Sequence, residues 1–146
     1  MVTELSTVDF VKQIAEKCGW KGTKEKKDRE FLHNLKSAME EWDNIPNKKT
    51  LESAQGIMRV YLGHNHIIFV NIREPKSIES FMQLIMEEGY LPIKILMESG
   101  KKSNEVDSIA QEIKSIKYDR VYINNGSLDD LKEKAKDFVE EITNAR

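Results

Sequence analysis

The chain has a single cysteine, Cys18, among its 146 residues, which excludes an intrachain disulfide and any metal cage built from cysteines. No sign of charge dominates. The 25 acidic side chains against 23 basic ones give a formal net charge of −2, with no overall pull toward a polyanion. Aromatic residues make up only 8% of the chain and fall mostly within stripes that suit a core, so a base-stacking surface for nucleic acid is not expected. Long hydrophobic runs are also lacking. The longest uncharged apolar stretch is far short of the about 20 residues that cross a bilayer, and the amino terminus does not read as a signal peptide. The expectation is a soluble, cytoplasmic protein with no membrane partner. Histidines are few: His64 and His66 would point to one side of an extended chain, but no carboxylate stands at ligand spacing, and His33 lies off the apolar stripe of its helix. No serine elbow and no cysteine–histidine pair can be read from spacing.

What is present is enough for one domain. A globular chain of this length buries roughly 68–70% of its extended-chain surface, so it can build a core without covalent staples. Residues 3–8 read as a short extended segment and 9–18 as a helix ended by Gly19, with Val11, Ile14, Ala15 and Cys18 as its packed stripe. A polar, mostly basic stretch, Lys24 to Arg29, precedes a helix whose apolar positions are Phe31, Leu35, Ala38, Met39 and Trp42. Asn44 to Lys49, with Pro46 in the middle, reads as a break, after which Thr50 caps a helix packed through Ala54, Ile57, Met58 and Tyr61.

The stretch that orients the rest is His66-Ile-Ile-Phe-Val-Asn-Ile-Arg-Glu-Pro75. Ile67 to Ile72 is apolar except for Asn71, as in a strand covered on both faces. Pro75 suits the first turn of a helix that packs Ile78, Phe81, Met82 and Ile85 and leaves at Gly89. A strand over Leu91 to Met97 follows, which predicts a right-handed βαβ unit. Beyond a loop at Glu98 to Ser103, Asn104 with Asp107 has capping-box spacing before a helix carrying Val106, Ile109, Ala110, Ile113 and Ile116. Tyr118 to Asn124 reads as a third strand, and Ser127 with Asp130 as a second capping box before a helix that buries Leu131, Ala135, Phe138, Val139 and Ile142. The fold class is therefore α/β, a three-layer α/β/α sandwich with a mainly parallel sheet, with an antiparallel α+β domain as the competing reading.

Parallel strands present their carboxyl ends to ligands, so the residues just past them are the first candidates. Arg73 offers a rigid fork of donors suited to a phosphate or carboxylate, and is equally readable as one half of a salt bridge between helices. Glu74 either holds that fork or is an ordinary first-turn charge. Arg29, at a helix start where backbone amides favour anions, is a second phosphate candidate, against a plain solvated role. Asp9 either caps its helix or reaches the crevice. Lys101 and Lys102 either cover a bound phosphate or are solvated loop lysines.

Five short segments in order, Ser6 to Lys12, Cys18 to Gly22, Lys27 to Leu32, Asn71 to Pro75, and Tyr118-Asp with Asn125 to Leu128, resemble the region downstream of the P-loop in bacterial and phage nucleotide kinases related to deoxynucleoside monophosphate kinases. The likeness runs from about Ser6 to Phe138. It implies a P-loop kinase-like fold, and phosphoryl transfer from ATP to a nucleoside monophosphate with magnesium. It makes Arg73 and Arg29 acceptor-phosphate ligands and places Asp9 where relatives have an acidic residue.

Three departures weaken the catalytic implication. No G-x-x-x-x-G-K-[ST] occurs, so the cradle for the donor phosphates is missing. Asn71 stands where many relatives carry an aspartate near magnesium, and Glu98 to Lys102 replaces a lid rich in arginine. In relatives the P-loop strand lies between those corresponding to Ile67–Ile72 and Leu91–Met97, so its loss opens the sheet unless those strands pair or another chain, including a second copy, fills the place. Three readings stand: a divergent kinase-like protein, weak or inactive alone; a kinase whose donor site is unusual or supplied by a partner; and a non-enzymatic interaction module on the same scaffold.

Overall fold

The computed structural model describes residues 1–99 and 108–144, and the chain divides into two compact units, Met1–Pro92 and Ile93–Arg146. The architecture is mixed α/β, with packed helices and small parallel sheets.

The first unit contains β1 (Val2–Ser6), α1 (Asp9–Lys17), α2 (Lys26–Asp43), α3 (Ile45–Val60), β2 (Ile67–Asn71) and α4 (Pro75–Glu87). β1 and β2 pair in parallel over five residues, from Val2 with Ile67 to Ser6 with Asn71. A parallel pair needs a crossover, here supplied by three helices. The most deeply buried apolar residues are helical: Val11 and Ala15 of α1, Leu51 and Ala54 of α3, and Phe81 of α4. The strand run Ile67 to Val70 is only half-buried, rather than fully covered. At its amino end His66 bonds Thr3 through Nε2 at 2.8 Å and lies against the Tyr61 ring at 4.6 Å between centroids.

The break expected at Asn44 to Lys49 is not there. Asn44 alone, at φ 52°, ends α2 and starts α3, and asparagine is one of the few residues that tolerates this left-handed conformation. Pro46 sits in the first turn of α3, where its missing N–H costs nothing. Thr50 is consequently inside the helix rather than capping it; its hydroxyl donates to the Pro46 carbonyl at 2.8 Å.

The packed face of α2 is also rotated from the expected stripe. Leu32, Leu35, Lys36, Met39 and Glu40 face inward to different degrees, while Phe31 and Ala38 are exposed and Trp42 is 82% exposed. Cys18, expected in the stripe of α1, is exposed at the carboxyl cap. By contrast α4 begins at Pro75 and packs through Phe81 as expected, and Gly89 follows with φ 83°.

The second unit contains β3 (Ile95–Ser99), α5 (Ser108–Ser115), β4 (Arg120–Asn124) and α6 (Leu128–Asn144). β3 and β4 are parallel, from Ile95 with Arg120 to Ser99 with Asn124. The strand expected from Leu91 starts later because Pro92 has no N–H for a ladder, and because Asp119 fixes the beginning of the pair. The Asp119 carboxylate accepts from the Lys94 amide at 2.7 Å, and the Asp119 amide donates back to the Lys94 carbonyl at 2.9 Å. Leu91 is exposed. Tyr122 and Phe138 meet edge-on at 5.9 Å, whereas Val121 and Ile123 are about half exposed, so β4 is not covered as a doubly buried strand would be. Ala135 is exposed too, narrowing the expected face of α6.

β2 and β3 lie in separate two-stranded sheets among the described residues, so β2–α4–β3 does not form one hydrogen-bonded βαβ unit. The Asn104–Asp107 cap lies outside the described residues, while the Ser127–Asp130 box is formed. The Ser127 amide and hydroxyl donate to the Asp130 carboxylate at 2.6 and 2.7 Å, and the Asp130 amide donates to the Ser127 hydroxyl at 3.2 Å. These bonds hold the Asp130 carboxyl below its ordinary value.

Candidate functional site

The carboxyl end of the β1–β2 pair gathers the strand-end candidates of the first unit. Ser6 and Asn71 are registered partners, and the chain leaves them toward Asp9 on one strand and Arg73 on the other. Asp9 is the first residue of α1, not its cap: its carboxylate accepts from the Ser6 amide at 2.8 Å, and so fixes the turn between strand and helix.

Asp9 also lines a polar cleft of about 130 Å³, together with Ser6, Gln13, Lys49, Glu52 and Ser53. Of its three formal charges two are negative. Lys49 Nζ is bonded to Glu52 at 2.7 Å and stands 6.0 Å from the centroid of the Phe10 ring, so its charge is already shared. The cleft therefore suits a ligand's hydroxyl or amino groups better than a phosphate dianion. Spacing could not reveal Lys49 and Glu52, because the crossover that brings α3 beside Asp9 is a tertiary event.

Arg73 is exposed, two residues past β2, and is not among the residues lining this cleft. Its neighbour Glu74 caps α4 in an extended conformation. Burial pushes the Glu74 carboxyl up, but the hydrogen bond and charge of Lys36, with help from Arg73, bring it below its ordinary value. Lys36 Nζ lies 2.6 Å from Glu74 and 3.1 Å from Glu40. The network continues through Ser77, whose hydroxyl reaches Glu40 at 2.9 Å and Asn47 at 3.1 Å; Asn47 in turn donates to Asn44 at 2.8 Å. Beside Arg73, Lys36 of α2 and Glu74 at the start of α4 form a salt bridge between helices.

Arg29 is exposed in the first turn of α2 and is also outside the cleft. The residue beside it does the structural work: Asp28 accepts from the Thr23 hydroxyl at 2.7 Å and amide at 3.1 Å, while its carbonyl accepts from the Trp20 indole at 3.1 Å. The segments Cys18 to Gly22 and Lys27 to Leu32 thus interlock. Asn71 donates to Glu4 on β1, a tie between strands. Lys101 and Lys102 lie outside the described residues. Among the described residues no group of three histidine, cysteine or carboxylate side chains could hold a metal, and no helix is long and apolar enough to cross a membrane.

No protein-family model matches the chain, and comparison with curated proteins and with solved structures finds no match either.

Proposed function

We propose that the chain is a nucleotide-kinase-like protein that recognises a nucleoside monophosphate or a similar phosphorylated ligand without a donor P-loop of its own. The observation that supports this is the shared edge. β1 and β2 run parallel, and Asp9 and Arg73 each follow the registered pair Ser6–Asn71 by three and two residues. In this reading Arg73 takes the phosphate through its paired donors, and the Asp9 cleft accepts hydroxyl or amino groups of the same ligand. Arg29, in the first turn of α2, is a secondary phosphate contact.

Phosphoryl transfer needs electrostatic stabilisation of the donor phosphates, and the motif that provides it does not occur in this sequence. Binding without turnover is the expected behaviour of the chain alone, with ATP and magnesium entering only if a partner supplies a donor site. Separately, the resemblance and the parallel pairs favour a P-loop kinase-like arrangement within the α/β class.

Titration calorimetry with nucleoside monophosphates and with inorganic phosphate, in magnesium buffer, tests the reading. Arg73→Ala should abolish binding of both probes. Asp9→Asn should weaken the monophosphates and spare inorganic phosphate. Absence of binding to the unsubstituted chain rejects the proposal.

A further inference from the structure

The outer side of α2 carries exposed apolar side chains. Phe31, Ala38 and Trp42 recur at i, i+7 and i+11 and all three are exposed, Phe31 by 39% and Trp42 by 82%. The helix is anchored through its other face, by Leu32, Lys36, Met39 and Glu40, so this stripe is not needed to hold it.

The charges beside the stripe are arranged with opposite signs at its two ends. Lys27 lies near its amino end and Glu41 near its carboxyl end, on the same solvent side, and neither makes an ion pair among the described residues. The carboxyl end ends in Glu40, Glu41 and Asp43 with no basic residue in the last turn, an arrangement that the helix dipole disfavours. Glu40 is compensated by Lys36, and Asp43 by Lys48 at 2.5 Å. Glu41 is left for an external cation.

We infer that α2 pairs with α2 of a second copy of this chain, antiparallel about a two-fold axis. Centred between Asn34 and Leu35, this places Phe31 of one copy over Ala38 of the other, a large side chain against a small one. Trp42 and Glu41 of one copy then lie against Lys27 of the second copy, which supplies both a cation for the indole face and the missing partner for Glu41. The positive end of each helix dipole meets the negative end of the other. A two-fold axis makes both ends alike, which is why a self-partner fits this charge pattern.

The 18-residue helix is about 27 Å long. One helix pair buries less than the roughly 1,200 Å² of a standard interface, so the dimer should dissociate on the order of micromolar concentration.

Sedimentation equilibrium of the full chain over a wide concentration range is the test. The unsubstituted protein should pass from monomer to dimer, and Trp42→Glu should remain monomeric with an unchanged circular dichroism spectrum. Lys27→Glu and Glu41→Lys should each weaken association about tenfold, because an exposed ion pair contributes a few-fold and the axis repeats it. Lys27→Glu combined with Glu41→Lys should recover most of that loss. A chain that stays monomeric throughout, whether the stripe is covered from within or reserved for another protein, overturns the inference. So does a dimer indifferent to Trp42→Glu, or a double reversal weaker than either single one.

Discussion

Replacing Lys36 with methionine tests whether the charged cluster between α2 and α4 supports the first unit. The Lys36 side chain is 7% exposed and its ammonium contacts Glu74 and Glu40, whose side chains are 37% and 26% exposed. Removing one partner of a fully buried pair costs about 3–5 kcal/mol. Here both carboxylates keep some water, which lowers the expected loss to about 2 kcal/mol, since methionine retains the packing of the lysine stem. For a chain of this size that corresponds to a fall of roughly 4–8 °C in Tm, measured by far-ultraviolet circular dichroism at neutral pH.

The pH dependence separates electrostatics from packing. In the unsubstituted protein the Glu74 carboxyl is held below its ordinary value of 4.5. Its stabilisation is therefore present above that value and is lost as the pH falls through the lowered one. In Lys36→Met burial is left opposed only by weaker influences, so the carboxylate destabilises the fold at neutral pH and ceases to do so once protonated. The gap in Tm between the two proteins should close as the pH falls through the lowered value of Glu74. A gap of the same size in acid and at neutrality, or a variant as stable as the parent at pH 7, would refute the reasoning.

Asn47 is completely buried and joins Asn44 and Ser77. Asn47→Ala strands buried donors and acceptors, and should cost about 2–3 kcal/mol by urea unfolding. At α6, Ser127→Ala removes the two hydroxyl bonds to Asp130 while the backbone amide at 127 can still donate to the carboxylate, and should speed amide exchange in the first turn with little effect on the last. Gly126→Ala should reproduce that local fraying by another route, because a Cβ there would come within 2.5 Å of an Asp130 carboxylate oxygen and 3.0 Å of its Cβ, pushing the carboxylate away from Ser127.

Local signals were readable wherever the responsible groups are close in sequence. Pro75 and Gly89 bracket α4, and Ser127 with Asp130 opens α6, because a cap or a fixed φ acts within a few residues. The face of α2 was not readable. Apolar periodicity assigned Trp42 to the core, but two inward positions belong to Lys36 and Glu40, made tolerable by Glu74 and Ser77 more than thirty residues away. A stripe that excludes charge cannot find a face that contains compensated charge. The proline at position 46 misled for a related reason: without knowing that Asn44 turns left-handed, a proline two residues later reads as an interruption instead of the first turn of α3. At the candidate site Asp9 and Arg73 were visible as strand-end residues, whereas Lys49 and Glu52 became neighbours of Asp9 only through the crossover.

The location of the core also bears on where the first unit is soft. Val11, Ala15, Leu51, Ala54 and Phe81 are helical, while Ile67 to Val70 stay half-buried in a sheet of two strands, an arrangement that has little stability of its own. The strands are therefore supported by the helices more than the reverse, which leaves the proposed ligand edge at Asp9 and Arg73 on the more deformable side of the unit. Phe81 is 4% exposed, so Phe81→Ala should cost about 3–5 kcal/mol, and Phe69→Ala, at a half-covered strand position, about half as much. Hydrogen exchange should follow the same order, with amides of α3 more protected than those paired between β1 and β2. Strand amides that exchange most slowly, together with a larger loss at Phe69 than at Phe81, would place the stabilising core in the sheet and remove the reason for expecting a pliable ligand edge.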